Sequence, residues 1–429
     1  MNKARLYAFR SLVKSTGSGF RSDLEAESVL QTDGLSRRDK NLYSKLLYGV
    51  IEKKITLDYL LSRLSTIPLN TLSREVLCVL ELGAFQILYL DRVPDRAAIF
   101  ESGELAKNVC RECLSYVNAL LRRVAREKET LHEYLDLPGK KGLALRYGYP
   151  RWMVSLWSEA YGKEKCEAIL AAMNTPAPLT VRVNTVKIER KVFERHLSED
   201  GVLFHNNPLC DGTLTIESET NPARLFGFEE GLFFVQDAAA AAAVDRLMAK
   251  PGEKVLDVCA APGGKSFGAA VAMENRGEVL SLELHPTRVE LIRRGAERLG
   301  LDCIRGEAND SSKVREDLRE KFDRVICDVP CSGLGVIAKK PDIRHKDKEE
   351  TESLPPLQLT ILESASTAVR PGGMLLYATC TLNPAENEAV TEAFLTRHKN
   401  FHRVGEAQTV FPVGGEHDGF FSDLLEKDA

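Results

Sequence analysis

The sequence predicts a multidomain chain: an all-α bundle, a small α+β unit, and a doubly wound, Rossmann-like α/β domain. Three observations predict this. Apolar residues recur at three- and four-residue spacing over the first third of the chain, a short alternating stretch follows, and beyond Gly231 short apolar runs alternate with helical ones. At 429 residues the chain also exceeds one ordinary core, since domains cluster at about 100–200 residues.

From Ala4 to about Tyr134, segments such as LYAFRSLV, NLYSKLLYGVIEKKITLDYLLSRL and REVLCVLELGAFQILYL have helical periodicity and are separated by polar or proline breaks. They predict a bundle over residues 1–138, closed by the linker Leu137-Pro-Gly-Lys-Lys-Gly142. Residues 143–230 mix helical pieces with the alternating Leu179-Thr-Val-Arg-Val-Asn184 and short strands such as GTLTI at 212–216. Arg182 and Asn184 either contact an RNA backbone or decorate the polar face of that strand. Over 231–429, VLDV, EVLSLE, RVICD and GMLLYA are buried-type strands, with another around Asp302 to Gly306, and helices such as Pro286 to Leu299 lie between them. In a doubly wound, mostly parallel sheet, ligands bind beyond the carboxyl ends of the strands.

Composition narrows the class. No apolar run approaches the roughly 18–20 residues needed to span a bilayer, and MNKARLYAFRSLVKSTGSG has too little apolar core for a signal peptide, so a cytoplasmic protein is expected. Ten cysteines are spread along the chain, which argues for reduced thiols. Only Cys110 and Cys113 form a CxxC pair; a zinc site would need a second pair, and ELAKNVCRECLSYVNALLRRV reads as an amphipathic helix, so no metal is expected. The net charge of −4 hides an asymmetry: residues 1–145 carry 23 Lys+Arg against 18 Asp+Glu, and the remainder 35 against 44. Leu121-Arg-Arg-Val-Ala-Arg-Glu-Lys128 is either a phosphate-contacting edge or a solvated helix face.

The first α/β strand runs into Asp257-Val-Cys-Ala-Ala-Pro-Gly-Gly-Lys-Ser266, which opens into a helix. Small residues let the backbone turn tightly and approach a ligand, and the helix N-terminus behind them offers free N–H groups. The pattern matches neither GxxxxGK[ST] nor GxGxxG, so a phosphate-binding loop is disfavoured. Glu283 ends the second strand, where an acid partners ribose hydroxyls, and Asn309-Asp310 follows the third, where it could hold an adenine edge. This set suits S-adenosylmethionine, whose reactive end is a sulfonium cation.

Asp328-Val-Pro-Cys-Ser-Gly333 follows the fourth strand and Tyr377-Ala-Thr-Cys-Thr-Leu-Asn-Pro384 ends the fifth. Taken alone, Cys380 reads as core filler. If the strands are neighbours, however, Cys331 and Cys380 share one crevice with Asp328. Methylation of a pyrimidine at C5 needs such a set, because a thiolate added at C6 turns C5 into a nucleophile. An acid at N3 then stabilises the adduct and a base removes the C5 proton. Asp328 suits the first task, a second cysteine the last, and Thr379 and Thr381 are positioning neighbours of Cys380.

DVCAAPGGKS, DVPCSGLGV, KKPDIRHK and YATCTLNPAENE resemble the motifs of the RNA cytosine-5 methyltransferases of the NOL1/NOP2/Sun family. SRRDKNLYSKLLYGVI, LELGAFQILYLDRVPDRAAI and SYVNALLRRV resemble the NusB-like RNA-binding domain fused to bacterial members that act on 16S rRNA. The resemblance implies that Cys259, Ala260, Ala261, Pro262, Gly263, Gly264, Lys265, Glu283, Asp310 and Asp328 line the S-adenosylmethionine site. It also implies that Cys380 is the nucleophile and that Cys331 assists product release. The implied partner is 16S rRNA or a small-subunit assembly intermediate, with the target base unstacked, and the protein is expected to be a monomer. Three alternatives stay open: the same chemistry on tRNA or another RNA, a non-catalytic RNA-binding assembly or antitermination factor, and attack by the Pro-Cys thiol Cys331, as in the DNA enzymes.

Overall fold

The computed structural model describes residues 2–15, 21–32, 34–217 and 221–429, so residue 1 and residues 16–19 of the leading segment lie outside them. Two compact units are present: Met1–Leu170 with Lys340–Lys346, and Ala171–Lys339 with Asp347–Ala429. Among the described residues no helix is long and apolar enough to cross a membrane.

The first unit is helical. Its long helix Arg37–Leu64 starts at Ser36, whose hydroxyl accepts the Asp39 N–H, and Arg74–Tyr89 is capped in the same way by Ser73. Leu46, Leu47, Val50, Val79, Leu82, Val117 and Leu121 are buried together in its core, as the helical periodicity requires. The segment following the second unit's Pro-Cys loop belongs here by packing. In its short turn Pro341–His345, Arg344 is buried, donates to the Tyr147 carbonyl at 3.0 Å and lies 4.1 Å from the Tyr149 ring centroid.

Two expectations are corrected in this unit. The stretch around CRECL is not one helix, because Asp95–Val109 ends at Cys110 and a tight turn Arg111–Cys113 precedes Leu114–Glu127. Cys110 and Cys113 are joined by a disulfide across that turn, so not all the thiols are reduced.

The second unit holds two sheets. In the smaller, β1 (Leu179–Val183), β2 (Phe204–Asn206), β3 (Thr213–Ile216) and β4 (Phe233–Val235) pair antiparallel in the order β2-β3-β1-β4. Arg182 and Asn184 serve neither purpose expected of them. Both are buried: Arg182 pairs with Asp245, and the Asn184 amide donates to the carbonyls of Gly231 (2.9 Å) and Leu299 (2.8 Å). A buried polar group needs such partners, and here they fasten β1 to the rest of the unit.

The larger sheet is built from β5 (Lys254–Asp257), β6 (Glu278–Glu283), β7 (Ile304–Ala308), β8 (Phe322–Asp328), β9 (Val369–Thr379), β10 (Phe401–Arg403), β11 (Gln408–Val410) and β12 (Phe420–Lys427). Its order is β10-β12-β9-β8-β5-β6-β7, with β11 also on β12. The five strands from β9 to β7 are parallel, as the alternating strand and helix pattern requires. β12 runs antiparallel to β9 and carries β10 and β11, an edge absent from the sequence reading. Successive strands β5, β6 and β7 step outward in one direction and β8 returns to the other side of β5, so β5 and β8 flank the switch point where such sheets bind ligands.

Candidate active site

β5 ends at Asp257, and the loop after it turns through a cis Ala261–Pro262 bond into the helix Gly264–Ala272. Gly263 has φ +114°, and a Cβ there would lie 2.3 Å from the Phe267 ring, so only glycine gives this tight approach to the helix N-terminus. Beneath the loop the buried Asp257 carboxylate accepts from Ser266 Oγ at 2.8 Å, and Ser281 Oγ donates to Ser266 Oγ at 2.8 Å. Burial pushes the Asp257 carboxyl up to about 7, against the lowering effect of the Ser266 bond. Burial also raises the Cys259 thiol, aided by the charges of Asp257 and Asp328, which keeps it neutral.

Glu283 is buried at the end of β6, where its Oε1 accepts from the His285 N–H and from Arg288, both at 3.2 Å. Arg288 also donates to the Ala261 carbonyl at 2.8 Å, tying this acid to the loop. Both bonds fall on Oε1, so that among the described residues Oε2 could accept a hydroxyl from a bound ligand. Asp310 lies beyond β7 and is bonded within its own loop, to Ser312 Oγ at 2.6 Å and Lys313 Nζ at 3.0 Å. These bonds hold its carboxyl below the usual range, the Ser312 hydroxyl first. The loop of small residues, the glycine cradle and the Glu283 carboxylate fit S-adenosylmethionine.

Lys265 has a different setting from the rest of the loop. Its ammonium pairs with Asp328 and sits 5.3 Å from the Phe420 ring centroid. Burial opposes its charge, yet the Asp328 carboxylate more than compensates and raises its proton affinity. Asp328 is therefore an ion-paired acid.

β8 and β9 are neighbours, with Asp328 opposite Ala378. The two chains leave the sheet side by side, which brings Cys331 Sγ to 3.2 Å from Cys380 Sγ. The hydrogen bond between the thiols, then burial, push the Cys331 thiol well up. Thr379 is buried and donates to Asn387 Oδ1 at 2.6 Å, while Thr381 Oγ1 lies 2.7 Å from Ser332 Oγ. The next turn packs as closely: the Gly335 N–H donates to the Cys380 carbonyl at 2.9 Å, and the Gly419 N–H to the Gly335 carbonyl at 2.8 Å.

One residue of this site escaped the sequence reading. Glu386 is fully buried, and its carboxylate accepts from the Ser332 N–H (2.8 Å), Ser332 Oγ, Gln358 Nε2 (2.9 Å) and Asn383 Nδ2 (2.9 Å). The signal for it is the density of hydrogen-bonding side chains in TLNPAENE, directly after the Cys380 strand.

Sheet topology and loop chemistry define the class, an S-adenosylmethionine-dependent methyltransferase. The family model described as 16S rRNA methyltransferase RsmB/F matches residues 244–426, that of the NusB family residues 2–126, and that of the RsmF/B-like ferredoxin-like domain residues 149–222. The probable ribosomal RNA small subunit methyltransferase B of Bacillus subtilis is 36% identical over 397 residues, covering 92% of this chain and 88% of its own. The corresponding probable enzyme of Synechocystis is 33% identical over 100% of both chains. Among solved structures, PH0851 matches with a TM-score of 0.79 at 25% identity over 98% of each chain. A methyltransferase homolog protein from Pyrococcus horikoshii matches with a TM-score of 0.61 at 27% identity, over 68% of this chain and 99% of its own. The chain belongs to the ribosomal RNA small subunit methyltransferase B family, and its methyl donor is S-adenosylmethionine.

Proposed function

We propose that the protein methylates C5 of a cytosine in 16S rRNA, in the cytoplasm, through a covalent adduct between Cys380 and C6 of the base. The observation that carries this reading is the pair of thiols 3.2 Å apart at the ends of adjacent parallel strands, beside the Lys265–Asp328 pair. Bound S-adenosylmethionine supplies an electrophilic methyl group on a sulfonium sulfur.

The Cys380 thiolate attacks C6 and places electron density on C5, splitting one difficult step into easier ones. The Asp328 carboxylate, with the proton carried by Lys265, supplies the acid partner at N3. Cys331, its own proton first released to solvent, takes the C5 proton as a thiolate; the C–H electron pair restores the C5–C6 double bond and the Cys380–C6 bond breaks, returning the Cys380 thiolate. Cys259, Ala260, Ala261, Pro262, Gly263 and Gly264 would hold the donor, with Glu283 at its ribose and Asp310 at its adenine.

The test uses two single substitutions with under-methylated 16S rRNA, and with tRNA as the competing substrate. Cys380→Ala is expected to form no covalent RNA adduct, whereas Cys331→Ala accumulates one that is not released. The reverse pattern assigns attack to Cys331, and label found only in tRNA overturns the substrate.

A further inference from the structure

We propose that Glu386 is the positioning residue that sets the spacing of the two active-site thiols, a role that rests on the reading of Cys380 and Cys331 given above. Its carboxylate lies between the two loops that carry them. From the Pro-Cys loop it receives both the N–H and the hydroxyl of Ser332, the residue after Cys331. From the other loop it receives the Asn383 amide, and its own carbonyl accepts the Tyr377 hydroxyl at 2.6 Å. Gln358, on the helix Leu354–Ser366, donates to Glu386 and to the Pro330 carbonyl, both at 2.9 Å, and so braces the Pro-Cys loop from behind.

The proton order in this network is fixed. Ser332 Oγ has one hydrogen and gives it to Glu386, so at the 2.7 Å contact Thr381 Oγ1 donates to Ser332 Oγ. A chain of hydrogen bonds thus runs from the residue after Cys380, through the residue after Cys331, to one buried carboxylate. Among the described residues the groups that donate to this carboxylate are neutral, which only an acceptor at both oxygens satisfies. Glutamine would set an NH2 group against the donors at one oxygen. Because Ser332 and Thr381 are tied to Glu386 in this way, the adjacent thiols hold their 3.2 Å separation.

A trivalent arsenical reads that separation directly, without RNA. Phenylarsine oxide joins two close thiols: two S–As bonds form, the As–O bond breaks, and the oxygen leaves with both thiol protons as water. With the full-length protein, peptide mapping is expected to find arsenic bridging Cys331 and Cys380. Glu386→Gln is expected to slow this capture about tenfold and to lower kcat about 100-fold, with S-adenosylmethionine affinity and RNA KM nearly unchanged, as for displaced reacting groups. Glu386→Asp is expected to recover some of each. Wild-type capture and kcat in Glu386→Gln overturn the proposal. Should that variant fail to bind S-adenosylmethionine, Ser332→Ala and Thr381→Val each remove one link, and unchanged capture in both overturns it equally. Capture that depends on Glu386 in a protein making no 5-methylcytosine upholds the positioning and overturns the reading of function.

Discussion

At the scale of single residues, the site separates groups that carry charge from groups held neutral. Asp257 stands between the two, half-protonated near neutral pH. Its carboxyl is raised from an ordinary 3.8 to about 7, so the folded state binds the proton more tightly than the unfolded chain does. The associated stability is full below about pH 4 and is lost as pH rises through 7. Asp257→Asn is therefore expected to flatten the stability profile between pH 5 and 8, over which the wild type loses about 3 kcal/mol through this group. Thermal unfolding across that range measures it; parallel curves for the two proteins would contradict it. Cys380 and Asp328 were legible in the sequence because Asp328 ends one recognisable strand and Cys380 follows another, and chemistry narrowed the rest. Glu386 was not, because its importance lies in who donates to it, and those donors come from sites as far as 54 residues away.

At the scale of elements, the parallel half of the large sheet was legible and the antiparallel half was not. Strands β5, β6, β8 and β9 are apolar runs bounded by turn residues, which single sequences reveal well. β10 and β11 have three residues each, too few for any period to show. β12 is buried on both faces over Phe420–Leu425, so it lacks the alternation that marks a half-exposed strand. It also contains an acid: Asp423 is fully buried and is held by Arg403 of β10 at 2.9–3.0 Å. Arg403→Ala removes that carboxylate's ion pair, leaving Arg246 to act on it by charge alone, and is expected to cost about 3 kcal/mol, measurable by denaturant unfolding. A second element-scale prediction concerns the loop contact. A Cβ on Gly335 would lie 2.1 Å from the Gly419 carbonyl oxygen, so Gly335→Ala must push the two backbones apart. Its turnover is expected to fall by at least about tenfold while S-adenosylmethionine affinity persists; an unchanged rate would show the contact to be dispensable.

At the scale of the whole molecule, charge is divided along the chain: the leading 145 residues have an excess of cations, 23 against 18, inside a protein of net charge −4. Arg122 and Arg126 are exposed on the helix Leu114–Glu127. If this face meets phosphates, the double substitution Arg122→Gln with Arg126→Gln is expected to reduce the slope of log affinity against log salt by about 1–2, with little change in kcat at saturating RNA. Filter binding at several salt concentrations reads it, and an unchanged slope removes these arginines from the interface. The strand order carries a different consequence. Within the large sheet, β5, β6 and β7 are made first, and with them the loop and the acids proposed to hold the donor. The strands that present the two thiols come later, and Phe420, against which Lys265 rests, later still. The 3.2 Å meeting of the two thiols therefore waits on β9, the last of the parallel strands to be made.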